Sequence, residues 1–407
     1  LAALANAEQH GSLQGGDDGV GTLSEFLGYP RTDGCAGTRN RLLVLSILGL
    51  TSAAAQRIAR QVPGALLVAL PYGRGQFGED RAMTRRMLIG LGCNPNAGAV
   101  LLVGADRQRL DIVAEGIAAS GKRVEAIALD EVHEDSLALS DRGVRLAAAL
   151  ARDMSRARRV PLPASLLRLG TECGHSDATS GLGANPLAGL VADRLVDAGG
   201  AAVFGETMEW LGAEHVLAAR AETPEVGRAI VDAVAQRERW AAATGEDLTG
   251  NNPGAENIRG GLSSIEEKSL GAIAKGGSRP VRGVLPHAAP IPGPGLWVME
   301  GPSFSPPSVT GFVAAGCNMT MFTTGPGNSY CDALAPTVKV TVNPKTAERL
   351  HHQIDFDGSG LMRGTREPED AADALFTQLL DHASGTRTWG EVLDEGGYAF
   401  ARLGADF

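Results

Sequence analysis

The chain reads as an α/β protein built from two α/β domains with mostly parallel sheets. Three observations predict that class. Short runs of valine, leucine, isoleucine and alanine alternate with helix-length segments. The runs lack an alternating polar face, which marks strands covered on both sides. Glycine, 54 of 407 residues or roughly 13% against an average near 7%, collects in the loops that follow those runs.

The elements follow in order. Leu42–Leu48 is the first strand, and Thr51 can cap a helix over Ala53–Arg60. Ala65–Leu70 is the second strand, followed by a glycine-rich loop and a basic helix at Asp80–Leu88. Ala99–Val103 leads to a helix near Arg107–Ala119, and Val124–Leu129 to one near Ser136–Arg156. Pro161 and Pro163 punctuate the chain, and the pattern restarts. Leu166–Leu169 and Ala201–Phe204 read as strands, with helices at Asn185–Asp197, Gly212–Arg220 and Glu225–Thr244. Gly250–Gly261 reads as a polar loop and Leu262–Leu270 as a helix. Pro280–Pro307 is too rich in proline and glycine to be one regular element, though Leu296–Glu300 fits a strand. Ala314–Thr323 and Thr337–Thr341 close the series as strands. At roughly 150 residues per domain, this divides the chain into a flexible lead-in at 1–27, an N-terminal α/β domain at 28–155 and a C-terminal α/β domain at 156–407.

Composition excludes several classes. With 37 basic and 47 acidic residues the formal charge is −10, whereas a nucleic-acid binder needs a basic face. No apolar run approaches the roughly 18 residues of a membrane span. Leu1–Gly21 lacks the basic segment and apolar core of a signal peptide, and the absence of an initial Met points to a trimmed start. The five cysteines form no C-x-x-C pair, which reads as reduced and cytoplasmic.

Five loops carry candidate chemistry. Gly73-Arg74-Gly75-Gln76-Phe77-Gly78 matches GxGxxG between a strand and a helix, the setting of a dinucleotide fingerprint. It follows the second strand rather than the first, and the next acid, Asp106, lies about 28 residues on where about 20 is expected. An anion-binding turn with Arg74 as donor is the stronger reading. Glu172-Cys173-Gly174-His175-Ser176-Asp177 places a thiol, an imidazole and two carboxylates after a strand, a set suited to iron, manganese or zinc. The plain alternative is a polar loop whose Ser and Asp cap the next helix. Glu206 and Glu209 lie three apart at a helix start and can face one way, with His215 further on. Asn251–Asn257 and Lys268 can hold hydroxyls or a carboxylate, and Lys268 can act as a base if desolvated. Thr323-Thr324-Gly325 suits an anion.

Taken in order, these segments resemble a known family. The resemblance rests on Gly28–Gly34, Gly37-Thr38-Arg39-Asn40, Asn94-Pro95-Asn96, Glu172–Asp177, Ala184-Asn185-Pro186, Glu206-Thr207, Gly212–His215, Glu267–Gly271, Lys275-Gly276-Gly277, Thr310-Gly311 and Phe322–Gly325. The chain is similar over about residues 26–365 to the altronate/galactarate dehydratase family, which also holds the large subunit of sulfolactate sulfo-lyase. That resemblance implies a hydro-lyase that removes water, or sulfite in one branch, from a hydroxy acid. It implies a divalent metal, Fe(II) first and Mn(II) or Mg(II) next. It also implies a small SAF-type domain; none fits before Gly28, so a separate small partner subunit is expected. A homodimer is the base-rate expectation.

One departure stands out. Where the family carries Thr-His and then Gly-Cys-Gly after the second strand, this chain has Tyr72 at the His and Gln76 or Phe77 at the Cys. Arg74 adds a fork-shaped partner for a carboxylate or sulfonate.

On this reading the metal ligands are Cys173, Glu206 and Glu209. The base is Lys268 or His215, and the acid is Glu206 or His175. Arg74, Gln76, Ser176, Asp177, Asn185, Asn252, Asn257, Thr323 and Thr324 surround the substrate. The competing readings are a sulfo-lyase, an NAD(P)-dependent oxidoreductase using the GxGxxG loop, and a non-catalytic sugar-acid binder.

Overall fold

Two parallel sheets organise the chain in the computed structural model, which describes residues 24–247 and 250–404. The first has four strands in the order Ala65–Ala69, Arg41–Ser46, Ala97–Gly104, Arg123–Ala128. Leu42 and Val44 pack under the helices Ser52–Gln61 and Ser136–Met154, while Leu43 and Leu45 pack under Gly78–Cys93 and Arg107–Ala118. Covering both faces is what makes these strands apolar throughout.

The second sheet has seven strands, in the order Val281–Leu285, Gly295–Met299, Ala201–Phe204, Arg168–Cys173, Met319–Thr323, Thr337–Thr341, Phe356–Asp357. The chain enters at its centre, on Arg168–Cys173, moves outward on one side, then crosses to Met319–Thr323 on the other. The first sheet also starts inside, on Arg41–Ser46, and reverses across to Ala97–Gly104. Each sheet therefore has a switch point, where loops on the carboxyl side diverge and leave a crevice.

One apolar core joins the sheets. It runs from Leu43 and Val100 through Met87 and Leu91 to Phe312 and Val313 of the helix Ser305–Ala314. Gly90 permits that helix contact, because a Cβ there would sit 2.1 Å from the Ala314 carbonyl oxygen. The Asn94-Pro95-Asn96 segment closes the seam. The Asn94 amide donates to the Val313 and Cys317 carbonyls at 2.7 and 2.8 Å, and Asn96 to those of Asn318 and Leu334 at 2.9 and 3.2 Å.

The structure differs from the sequence reading in several places: the loop expected at Gly250–Gly261 holds the helix Ala255–Arg259, and the helices Pro344–Arg349 and Pro368–Ala383 were not expected. The lead-in expected at 1–27 lies outside the described residues through 23. Its end is ordered: Glu25–Pro30 is a strand, antiparallel to Val160–Pro163 and Ala36–Gly37, that buries Phe26. The strand expected at Leu166–Leu169 runs instead over Arg168–Cys173, which carries Cys173 to its carboxyl end. The proline-rich stretch resolves into two strands, Val281–Leu285 and Gly295–Met299, and the start of the helix Ser305–Ala314. Pro306 and Pro307 fall in that helix's first turn, where a missing N–H costs nothing. The strand expected from Ala314 begins only at Met319. All five cysteines are free. No helix among the described residues is long and apolar enough to cross a membrane.

Candidate active site

The larger cavity, about 1310 Å³, lies beyond the carboxyl ends of the second sheet at its switch point. Cys173 ends the strand Arg168–Cys173, and Glu206 follows the neighbouring strand Ala201–Phe204. Glu206 has a left-handed backbone, φ 65°, and opens the 3-10 turn Thr207–Trp210 that brings Glu209 back beside it. One sulfur and one carboxylate oxygen from each glutamate lie within 4.8 Å of one another. All three residues are buried.

Two lysines complete the cluster. The Lys275 ammonium is 1% exposed and sits 3.2 Å from Cys173 Sγ, 3.3 Å from Glu206 Oε2 and 3.7 Å from Glu209 Oε2. Lys268, on the helix Ile265–Ile273, pairs with Glu209 Oε1 at 2.8 Å and donates to Asn252 Oδ1. Behind them Glu172 is buried and accepts from Ser308 Oγ at 2.7 Å.

The charges set each other's protonation. Burial, then the Glu172 and Glu209 carboxylates, push the Glu206 carboxyl well above the ordinary range despite Lys275. Burial also raises Glu172 and the Cys173 thiol. Burial would raise Glu209 as well, but Lys268 and Lys275 overcome it and hold that carboxylate below its usual value. Burial alone would lower Lys268, and the Glu209 charge and hydrogen bond reverse that; Lys275 rises further, against its own burial, under Cys173, Glu206 and the other carboxylates. Both lysines are therefore cations at neutral pH. Paired with Glu209, Lys268 is placed to stabilise negative charge rather than to take a proton.

His175 lines the same cavity, with a left-handed backbone of φ 51°. Its Nδ1 lies 2.9 Å from the Gly327 carbonyl oxygen. A carbonyl only accepts, so Nδ1 carries the hydrogen and Nε2 of the neutral ring keeps a free lone pair. Two of the few non-glycine residues in the left-handed region thus line this cavity, as strained residues at working sites often do.

Not every expected residue joins this cluster. Ser176, Asn252 and Asn257 line the cavity. His215 does not: it sits on the exposed face of the short helix Glu214–Ala218, so it is a surface histidine rather than a base. Asp177 accepts from the N–H groups of Thr179 and Ser180 and from Asn343 Nδ2, and so acts as a cap. Thr323 donates to Asn185 Oδ1 at 2.5 Å, and Asn185 Nδ2 to the Gly271 carbonyl, so both are consumed in packing. Thr324 Oγ1 accepts from the Gly327 N–H within its own turn. Arg74 and Gln76 line a separate cavity beyond the first sheet.

Lys275 was missed by the site reading. The available signal was a lone cation ending the apolar run Leu270–Ala274, next to two glycines. A lysine there is buried and must have acidic partners.

The donor set suits a cation. A thiol with two carboxylates is a mixed soft and hard site, suited to Fe(II), Mn(II) or zinc, whereas magnesium prefers oxygen alone.

Comparison with known proteins agrees with this architecture. A family model described as D-galactarate dehydratase/altronate hydrolase, second domain, matches residues 28–155. One described as D-galactarate/altronate dehydratase, C-terminal, matches residues 164–405. The chain is 38% identical over 384 residues to the (2R)-sulfolactate sulfo-lyase subunit beta of Chromohalobacter salexigens, covering 93% of this chain and 97% of that one. It is 31% identical to the altronate dehydratase of Escherichia coli, covering 90% and 75% of the two chains. It is 32% identical to that of Bacillus subtilis, covering 88% and 74%.

Proposed function

The chain belongs to the D-galactarate/altronate dehydratase family, and from that premise we propose that it is a lyase that eliminates water from a sugar acid or related hydroxy acid to give a 2-keto acid. The observation that carries this reading is the buried Cys173, Glu206 and Glu209 set, with Lys268 and Lys275, at the switch-point cavity.

The reaction removes a weakly acidic proton next to a carboxylate and expels the β-hydroxyl. Cys173, Glu206 and Glu209 would hold a divalent ion, Fe(II) by preference; such an ion supplies Lewis acidity that stabilises an enediolate. Lys268 and Lys275 add fixed positive charge where that anion develops. His175 Nε2, the free lone pair at the cavity wall, takes the proton. The resulting imidazolium then holds it ready for the departing hydroxyl, which leaves Glu206 for the cation. Asn252, with Ser176, orients hydroxyls of the substrate; Asn257 is consumed in packing, accepting from the Gly254 N–H and donating to the Ser176 carbonyl.

A second reading has its own support. The sulfo-lyase subunit beta matches along 97% of its length, so a sulfonated hydroxy acid with sulfite as leaving group is the alternative substrate class. The name of that relative also favours a partner subunit for this chain, and a pull-down from the native host tests for it.

The deciding experiment loads the purified chain anaerobically with Fe(II) and screens altronate, galactarate and sulfolactate. A 2-keto acid from the first two supports the dehydratase. Sulfite from the third replaces it with the sulfo-lyase. No turnover on any, with or without the small subunit, overturns both.

A further inference from the structure

The GxGxxG loop lines a cavity of about 310 Å³ beyond the carboxyl ends of the first sheet. Its position matches that of the larger cavity in the second sheet. Ile47 and Leu48 follow the strand Arg41–Ser46, and Ala105 and Asp106 follow Ala97–Gly104, the two strands that flank the switch point. The two cavities share no lining residue.

The lining is charged in one sense. Arg74 comes from the loop, Arg81 and Arg85 from the helix Gly78–Cys93, and Arg109 from Arg107–Ala118. The only carboxylate among the lining residues is Asp106, which caps the second helix and lies 3.7 Å from Arg109. Arg74, Arg81 and Arg85 make no ion pair or hydrogen bond with any described residue. Glu79, in the first turn of the same helix, is taken by Arg86, and Asp80 by the Leu403 and Gly404 N–H groups.

Two buried groups point to an absent partner. Gln76 is 7% exposed and Thr84 5% exposed, and both line this cavity. Gln76 Nε2 and Thr84 Oγ1 have no hydrogen-bond partner. A buried polar group left unpaired costs about 1–3 kcal/mol, so two in one cavity call for a ligand that meets them. Arg81, Thr84, Arg85 and Leu88 fall at i, i+3, i+4 and i+7, so one helix face carries cations, a hydroxyl and an apolar floor together.

We propose that this cavity binds a small organic phosphate of mononucleotide size. Guanidinium forks suit a phosphate dianion, and the Gln76 amide and the Thr84 hydroxyl add neutral donors. Leu70, Leu88, Ile112 and Val113 suit an apolar body attached to it. The volume is at the lower end of the roughly 300–1,000 Å³ of ligand sites, too small to enclose a dinucleotide. The lining holds no Cys, His, Lys or Glu, so the site binds rather than catalyses.

The test is calorimetric titration of the full chain with adenosine monophosphate, adenosine, inorganic phosphate and NAD. Adenosine monophosphate is expected to bind and to raise the melting temperature, and adenosine to do neither. The Arg81→Ala/Arg85→Ala variant should lose at least about tenfold in affinity while lyase turnover is unchanged. Thr84→Val, which fills the same space, should weaken binding yet stabilise the ligand-free protein. The proposal is overturned if adenosine monophosphate does not bind, or binds these variants as well as the parent. It is also overturned if adenosine or NAD binds equally well, or if inorganic phosphate does, which would mark an inorganic anion site only.

Discussion

The two cavities occupy the same topological position and differ in how their charges are met. Beyond the second sheet, the thiol, the carboxylates and the Lys275 ammonium are buried, Lys268 is half-buried, and they contact one another at 2.8–3.7 Å. Beyond the first, three arginines stand exposed with no partner, and two buried polar groups are orphaned. A parallel sheet supplies the crevice in both cases. What differs is the residues that the loops deliver. A self-paired, desolvated cluster is suited to chemistry, because its fields act in low dielectric; an ion seated among Cys173, Glu206 and Glu209 would displace the Lys275 ammonium that contacts all three. An unpaired set is organised for an occupant that brings its own charge.

The sharpest way to break this contrast is to remove the sulfur. Cys173→Ala deletes one donor of three, and the only sulfur, in the set. On the proposed reading, metal uptake and turnover should both be lost, as read by metal analysis and keto-acid formation. Full metal content with intact turnover would remove the cysteine from the site. Next comes His175→Ala. On its proposed role as the base, kcat should fall by about 100- to 10,000-fold, while metal content and KM stay close to the parent values. A change confined to KM would make His175 a substrate contact instead.

Lys275→Met probes the pairing itself. Removing one partner of a buried ionic set typically costs about 3–5 kcal/mol, because the other charges remain desolvated. Chemical denaturation should show that loss. Turnover should drop by about 100- to 1,000-fold, the usual effect of deleting one fixed stabilising charge. By contrast, the Arg81→Ala/Arg85→Ala variant in the other cavity should leave turnover and stability unchanged, since those side chains are exposed and unpaired.

Legibility in the sequence followed the same divide. Strands and helices of the first sheet were readable to within a few residues, because apolar runs and helical spacing are local signals. Cys173, Glu206 and Glu209 were readable because each sits in a short polar loop just after an apolar run. Lys275 was not, since its partners are 66–102 positions away and only the fold joins them. Arg74 was assigned to the wrong cavity for a related reason. A glycine-rich loop after a strand looks alike in either sheet, and nothing local says which crevice it serves. The roles of Asp177, Asn185 and Thr324 failed in the opposite way: a polar side chain in a loop is as often a cap as a ligand.

The seam between the regions offers the smallest and most specific test. His287 is buried where the two halves meet: Arg86 donates to its carbonyl at 2.8 Å, and its ring packs on Gly311 of the helix Ser305–Ala314. Burial pushes its imidazole down to about 4. The folded protein therefore keeps it neutral while the unfolded chain gains a proton below about 6.5. Stability from this group is complete above that pH and is lost as pH falls toward 4, up to about 3 kcal/mol. Asp332 acts in the other direction. Burial raises its carboxyl to about 7, so the folded form keeps a proton that the unfolded chain loses, and its contribution declines as pH rises from about 4 to 7. The two trends oppose each other across the same interval, and the parent curve alone would hide both. The difference between parent and His287→Gln isolates the histidine. That difference should shrink steadily from pH 6.5 to 4 in denaturation midpoints. A constant difference would mean that the imidazole takes up its proton in the folded protein as readily as in the unfolded chain.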